Sequence, residues 1–183
     1  GLTEPIPVSS SGHVMIASEI LGMGEQGFMF AILTNTASLI AIMFIFREDI
    51  IRLLTGFLLF IKTRDARYRA DFNFAIYVII GSIPAGVLGV LLSDVIADNV
   101  SMTIIAIMLF VTGIALWLIR NLRGTKRDGD LTTKDAFLVG LGQAVALTPG
   151  ISRSGATIIS AIAVGMNQET ALRFSFMLYI PVS

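Results

Sequence analysis

With 55% hydrophobic and only 14% charged residues at a mean hydropathy of +0.83, a chain of 183 residues falls far from the roughly 25% charge of a soluble domain and reads as an integral membrane protein. Its 13 basic residues balance its 13 acidic ones without forming a basic tract, which argues against a nucleic-acid partner. The absence of cysteine excludes disulfides and thiolate metal sites.

The chain opens on Gly1-Leu2-Thr3-Glu4 rather than on a basic leader, so no cleavable signal peptide is expected. It lacks a starting Met and stops inside an apolar run at Tyr179-Ile180-Pro181-Val182-Ser183, so both ends are expected to be cuts in a longer chain. The first element, 1–24, carries a polar break, Pro7-Val8-Ser9-Ser10-Ser11-Gly12-His13. Only about 10 apolar residues follow it, roughly half a bilayer of helix, which predicts a re-entrant hairpin. Three nearly charge-free segments, 28–46, 72–92 and 100–119, are each long enough to cross about 30 Å of hydrocarbon. Between the first two, the 50–61 stretch is too short to span and predicts an amphipathic connector at the interface. Within 72–92, Gly81-Ser82-Ile83-Pro84-Ala85-Gly86 predicts a kink or a close-packing point. A second hairpin, 135–166, breaks at Pro149-Gly150-Ile151-Ser152-Arg153-Ser154-Gly155, and a further, truncated transmembrane helix is expected over 171–183. The fold class is therefore an all-α integral membrane protein with a single domain.

Loop charge supplies an orientation. Arg47, Arg52, Lys62, Arg64, Arg67 and Arg69 lie between the first two spans, and Arg120, Arg123, Lys126, Arg127 and Lys134 follow the third, whereas the 94–99 turn has no Lys or Arg. The positive-inside rule makes the two basic loops cytoplasmic. The hairpins then enter from opposite faces, an inverted-repeat plan in which discontinuous helices build a site near the midplane.

The two breaks are rough copies of one another, and their chemistry points to an anion. Proline and glycine stop a helix, and the following serines can cap a new one. Lipid cannot hydrogen-bond free backbone groups, so such breaks persist only where protein buries them or where they line a wet cavity. Helices starting near Gly12 and Gly155 would aim unpaired N–H groups and positive dipole ends at one place, a setting for phosphate. Arg153 adds a forked donor set matched to phosphate oxygens, at a depth where a charge is expensive enough to mark function. His13 is the only histidine; it follows Ser10 by one helical turn and joins Glu4 as a candidate acid or base. Thr34, Asn35 and Thr36 within the first span read as interhelical hydrogen-bonders.

Glu4-Pro5-Ile6-Pro7-Val8-Ser9-Ser10-Ser11-Gly12-His13 and Pro149-Gly150-Ile151-Ser152-Arg153-Ser154-Gly155-Ala156-Thr157 resemble the two signature motifs of the bacterial undecaprenyl-diphosphate phosphatase family of BacA type, and Ala171-Leu172-Arg173-Phe174-Ser175-Phe176 resembles the segment after the second motif. The resemblance implies a hydrolase of the inner (cytoplasmic) membrane, its site open to the outer face. That enzyme removes the terminal phosphate of undecaprenyl diphosphate, recycles the lipid carrier for peptidoglycan synthesis and confers bacitracin resistance. It also implies catalytic roles for Glu4, Ser10, His13 and Arg153. The family's first motif carries a further acidic or amide residue four positions before Glu4, upstream of Gly1, and the family's last helices are absent.

Beside it, the residues support a mechanism. Ser9, Ser11, Gly12, Gly150, Ser152, Ser154, Gly155 and Thr157 are the candidate diphosphate contacts. A diphosphate brings about three negative charges into a low dielectric, so a divalent cation, Mg²⁺ or Ca²⁺, held by Glu4 and substrate oxygens is expected. Ser10 is the preferred nucleophile, with His13 or Glu4 as base and acid, while attack by water or by His13 stays open. The partners expected are the polyprenyl diphosphate and the bilayer, with a homodimer one available state. The rival reading is a transporter or flippase of a phosphorylated lipid or small anion, since broken helices in inverted repeats also serve carriers.

Overall fold

The computed structural model describes residues 9–23, 25–98, 101–148 and 150–182, with side chains for all of these except 11, 25–28 and 93–98. Among them the regular elements are helical: α1 (Ser10–Ile20), α2 (Glu25–Ile45), α3 (Arg47–Thr63), α4 (Arg69–Asp98), α5 (Met102–Ile119), α6 (Thr133–Val145), α7 (Arg153–Ala163) and α8 (Gln168–Val182). Short 3-10 turns at Ala66–Tyr68 and Asp128–Asp130 and an isolated bridge between Lys126 and Met166 complete them.

Among the described residues, two helical stretches, Ala66–Leu92 and Met102–Ile119, are long and apolar enough to cross a membrane, and α2 with α3 makes a third if that pair, bent by 69°, is one span. The chain is a multi-pass membrane protein. Exposure agrees with this: Phe110, Trp117 and Leu118 on α5 are 71%, 59% and 62% exposed, an apolar surface that lipid accommodates and water would not. The 72–92 expectation is contained in the longer α4, and 50–61 lies within α3. That helix places Glu48 and Asp49 in its first turn and Lys62 in its last, each sign complementing the helix dipole.

Local chemistry sets the helix starts. Ser101 caps α5 by accepting from Ile104 N–H. Thr132 and Asp135 form a reciprocal capping box on α6. Ser152 caps α7 through a 3.1 Å bond from Gly155 N–H. The expected starts near Gly12 and Gly155 are corrected: the helices begin at Ser10 and Arg153. Ser152 caps α7 with its side chain, whereas Ser9 precedes α1 without a side-chain cap bond, and in both helices the first turn reaches back to include Ser11, Gly12, Ser154 and Gly155.

The core lies among α4, α6, α7 and α8, where Phe74, Ala136, Val139, Ala161, Phe174 and Leu178 are buried in one cluster. Phe74 and Phe174 meet edge-on at 5.6 Å. Glycine permits the closest approach: a Cβ on Gly140 would collide with the Gly81 carbonyl, and one on Gly81 would lie 2.9 Å from Leu178 Cδ2. The 81–86 segment is therefore a close-packing point inside a continuous helix that runs through Pro84.

One face of α5 receives both polar breaks. A Cβ on Gly12 would lie 3.3 Å from Leu109, one on Gly155 3.3 Å from Thr112, and one on Gly150 2.7 Å from the Ile105 carbonyl and 3.1 Å from Met108 Cβ. Residues 105, 108, 109 and 112 fall on one helical stripe, so α5 holds the starts of α1 and α7 side by side. Ile105 and Thr112 are buried under them.

Candidate active site

A cavity of about 70 Å³ opens between the two breaks, lined by Ser9, Ser10, Asn35, Ala146, Ile151, Ser152, Arg153 and Ser154. The fold thus brings Ser10, Arg153 and three of the expected phosphate-contact serines together. Asn35, read from the sequence as a packing residue, belongs to this wall, and it also accepts a 3.4 Å hydrogen bond from the Tyr179 hydroxyl. Glu4, the expected carboxylate and metal ligand, lies outside the described residues, as does the Ser11 side chain.

Ser9 holds an uncommon conformation. Its φ of 58° and ψ of 75° are left-handed, which a non-glycine residue adopts at a cost that clusters at functional turns. Ser9 is 3% exposed and its hydroxyl has no hydrogen-bond partner among the described residues. Its carbonyl receives both the His13 backbone N–H at 3.1 Å and His13 Nδ1 at 2.9 Å. A carbonyl only accepts, so Nδ1 is the nitrogen that donates here. His13 itself is exposed and does not line the cavity. Its tie to the site is this bond to Ser9.

Hydrogen bonds tie together the described part of the second break. Ser152, 2% exposed, caps α7 and its hydroxyl lies 3.3 Å from the Ser154 hydroxyl. Thr157 donates to the Arg153 and Ser154 carbonyls, both at 3.0 Å, so it braces the first turn of α7 from within. Gly150, at φ 94°, and Gly155 allow the turn to lie against α5. The Arg153 guanidinium stands 5.5 Å over the Tyr179 ring, a cation–π contact from α8 that steadies the cation. Two helix N-termini, a guanidinium and several hydroxyls meet around one small cavity, the kind of donor set that a phosphate group takes.

The hydroxyl and amide oxygens of this wall are hard donors of the class that Mg²⁺ and Ca²⁺ take. Among the described residues no three His, Asp or Glu side chains gather to hold a metal by themselves.

Away from the cavity, ion pairs fix the polar loops. Lys126 Nζ donates to both Asp135 oxygens at 2.9 and 3.0 Å. Burial would raise the Asp135 carboxyl, but the hydrogen bonds from Lys126 and Thr132 hold it below its ordinary value. Arg173 donates to Asp128 at 2.6 Å and to Glu169 at 3.3 Å, while Thr170 donates to the other Asp128 oxygen. The 171–176 segment thus joins a loop anchor, a core phenylalanine and buried Ser175.

The family model described as "Bacitracin resistance protein BacA" matches residues 1–183. A protein of Bacillus thuringiensis (strain Al Hakam) named undecaprenyl-diphosphatase 2 is 56% identical over 184 residues, covering 100% of this chain and 68% of that protein. Undecaprenyl-diphosphatase 1 of Bacillus licheniformis is 54% identical, with the same coverage, and undecaprenyl-diphosphatase 1 of Halalkalibacterium halodurans is 49% identical, covering 67% of that protein. With its whole length matched and both motifs on one cavity, the chain belongs to the BacA family of bacitracin resistance proteins.

Proposed function

We propose that this protein hydrolyses undecaprenyl diphosphate to undecaprenyl phosphate and orthophosphate, and that the cavity between α1 and α7 receives the diphosphate. The observation that carries the reading is that Ser10 and Arg153, 143 positions apart in the chain (153 − 10), line the same cavity. The names of the relatives favour hydrolysis over the carrier alternative.

Ser10 Oγ attacks the terminal phosphorus. The bond from that phosphorus to the bridging oxygen breaks, and undecaprenyl phosphate leaves. Water then cleaves the phosphoserine and releases orthophosphate. Glu4 or His13, the latter one turn after Ser10, takes the serine proton and returns it to the leaving oxygen. Arg153, Ser152, Ser154 and the first-turn N–H groups of α7 hold the charge that grows on the equatorial oxygens. A divalent cation bound by Glu4 and substrate oxygens would supply further charge neutralisation. Gly12, Gly150, Gly155 and Thr157 keep the two starts in place.

The reading extends to the membrane. The 11 residues of α1, the 13 of α6 and the 11 of α7 amount to about 16 to 20 Å of helix each, near half the hydrocarbon thickness. That length supports two re-entrant hairpins meeting at depth, in inverted repeats, within the inner membrane. The basic loops face the cytoplasm and the site opens outward. The polyprenyl tail then leaves sideways between helices.

Phosphate release from undecaprenyl diphosphate in detergent tests the function, with substrate binding measured on the same preparation. Ser10→Ala should bind substrate and lose several orders of magnitude in phosphate release. A Ser10→Ala protein that hydrolyses like the parent would exclude the serine as nucleophile. A parent that binds but releases no phosphate would overturn the hydrolase reading in favour of a carrier.

A further inference from the structure

A second, smaller cavity lies against the other side of the arginine turn. It measures about 10 Å³ and is lined by Ile42, Gln143, Arg153, Ser154, Thr157, Ser175, Phe176 and Tyr179. Two of these are polar groups that the mechanism leaves unused. Gln143 on α6 is 1% exposed, and among the described residues neither its Oε1 nor its Nε2 has a hydrogen-bond partner. Ser175 on α8 is 3% exposed and its Oγ is in the same condition. Buried amides and hydroxyls are almost always satisfied by protein or by ordered water. A space of this size, about one water probe, with several polar partners around it meets the requirement for a held water.

Arg153 and Ser154 line both cavities, so the start of α7 is the wall between them. One side faces the proposed phosphate and the other faces Gln143 and Ser175. A guanidinium only donates, whereas a water can accept from it and donate to the Gln143 carbonyl oxygen, while Ser175 and the Gln143 amide nitrogen supply the remaining partners. Thr157 cannot take that part, because its hydroxyl already donates to the Arg153 and Ser154 carbonyls. We propose that this cavity is a built site for a single water, held by Gln143 and Ser175, that fixes Arg153 from behind, making Gln143 a positioning residue for the phosphate clamp. The proposal rests on the hydrolase reading above.

Gln143→Leu removes both polar atoms at closely similar volume, and Ser175→Ala removes one. The assay is kcat and KM for phosphate release from undecaprenyl diphosphate, with the thermal midpoint of each purified protein in the same detergent. If the water positions Arg153, Gln143→Leu should lower kcat by about 10- to 100-fold with KM nearly unchanged, as a small misplacement of a transition-state group does. Its midpoint should equal or exceed the parent's, since an apolar group replaces an amide that needs a partner. Ser175→Ala should lower kcat by about 3- to 10-fold in the same manner, and it carries the test if Gln143→Leu does not fold. Parent-like kcat in both variants, or a fall only in the midpoint with turnover per folded molecule unchanged, overturns the positioning role and leaves the hydrolase reading intact. A parent that releases no phosphate removes the hydrolase reading and this proposal with it.

Discussion

Gly150→Ala adds one methyl group where the backbone leaves no room for it. The residue sits at φ 94°, and its Cβ would lie 2.7 Å from the Ile105 carbonyl oxygen and 2.8 Å from Ile105 Cα. Both atoms belong to the α5 backbone, which cannot turn aside as a flexible side chain can. Restoring ordinary contact, 3.4 Å or more, requires a displacement of 0.7 Å (3.4 − 2.7). The positive φ costs an L-residue about 1–2 kcal/mol, and overpacking against a fixed wall about 1–3 kcal/mol. Together they predict a loss of roughly 2–5 kcal/mol, in part relieved by lifting the turn off α5. That relief moves Ser152 and Arg153 relative to Ser10, and a shift approaching 1 Å should cost about 10- to 100-fold in turnover. The measurements are thermal unfolding in detergent and phosphate release on the same preparation. Gly113→Ala is the control on the same helix: nothing lies within 4 Å of its Cβ, so it should be neutral or stabilising by up to about 1 kcal/mol. A Gly150→Ala protein as stable and as active as the parent would refute the docking of the second break on α5.

Arg153→Lys keeps the charge and loses the fork, so kcat for phosphate release should fall by about two orders of magnitude with the protein still folded. Near-parental turnover would reduce Arg153 to charge balance. Chelation of divalent ions should abolish phosphate release, and Mg²⁺ or Ca²⁺ should restore it; full activity under chelator would remove the cation from the account. The Asp135 carboxyl is depressed in the folded state, so the Lys126–Asp135 pair contributes stability above the ordinary carboxylate value of 3.8 and loses it as pH falls below that value. Asp135→Asn should therefore flatten the acid limb of a thermal-midpoint-versus-pH curve; an unchanged limb would show that other carboxylates set it.

The parts of this site that were legible in the sequence are those that break a local pattern. Proline, glycine and serine within apolar runs mark the starts of α1 and α7, and an arginine between two apolar stretches marks the proposed clamp. Apolar length located α4 and α5, because a helix that lipid surrounds needs no polar face. For the same reason α5 hides its function: its residues are apolar all round, so no periodicity distinguishes the 105–112 stripe that receives both breaks from the face turned to lipid. Asn35 reads in the sequence as an interhelical hydrogen-bonder, which its bond from Tyr179 on α8 bears out, but its place at the cavity does not show there, and Gln143 and Ser175 give no signal. Each is an ordinary polar residue in a helix, and only tertiary packing reveals that Asn35 lines the cavity while the other two lie behind Arg153. The helix starts shifted by part of a turn because serine can serve either as a cap or as a first-turn residue, and backbone geometry decides which.

A double-mutant cycle on Ser10→Ala and Arg153→Lys tests most directly whether the two breaks form one phosphate site. With phosphate release from undecaprenyl diphosphate as the readout, residues acting on the same phosphoryl group should be strongly non-additive. The double variant should retain a rate within about threefold of the slower single variant. A double variant whose loss is the product of the two single losses would mean that Ser10 and Arg153 act independently, and the shared site would be wrong.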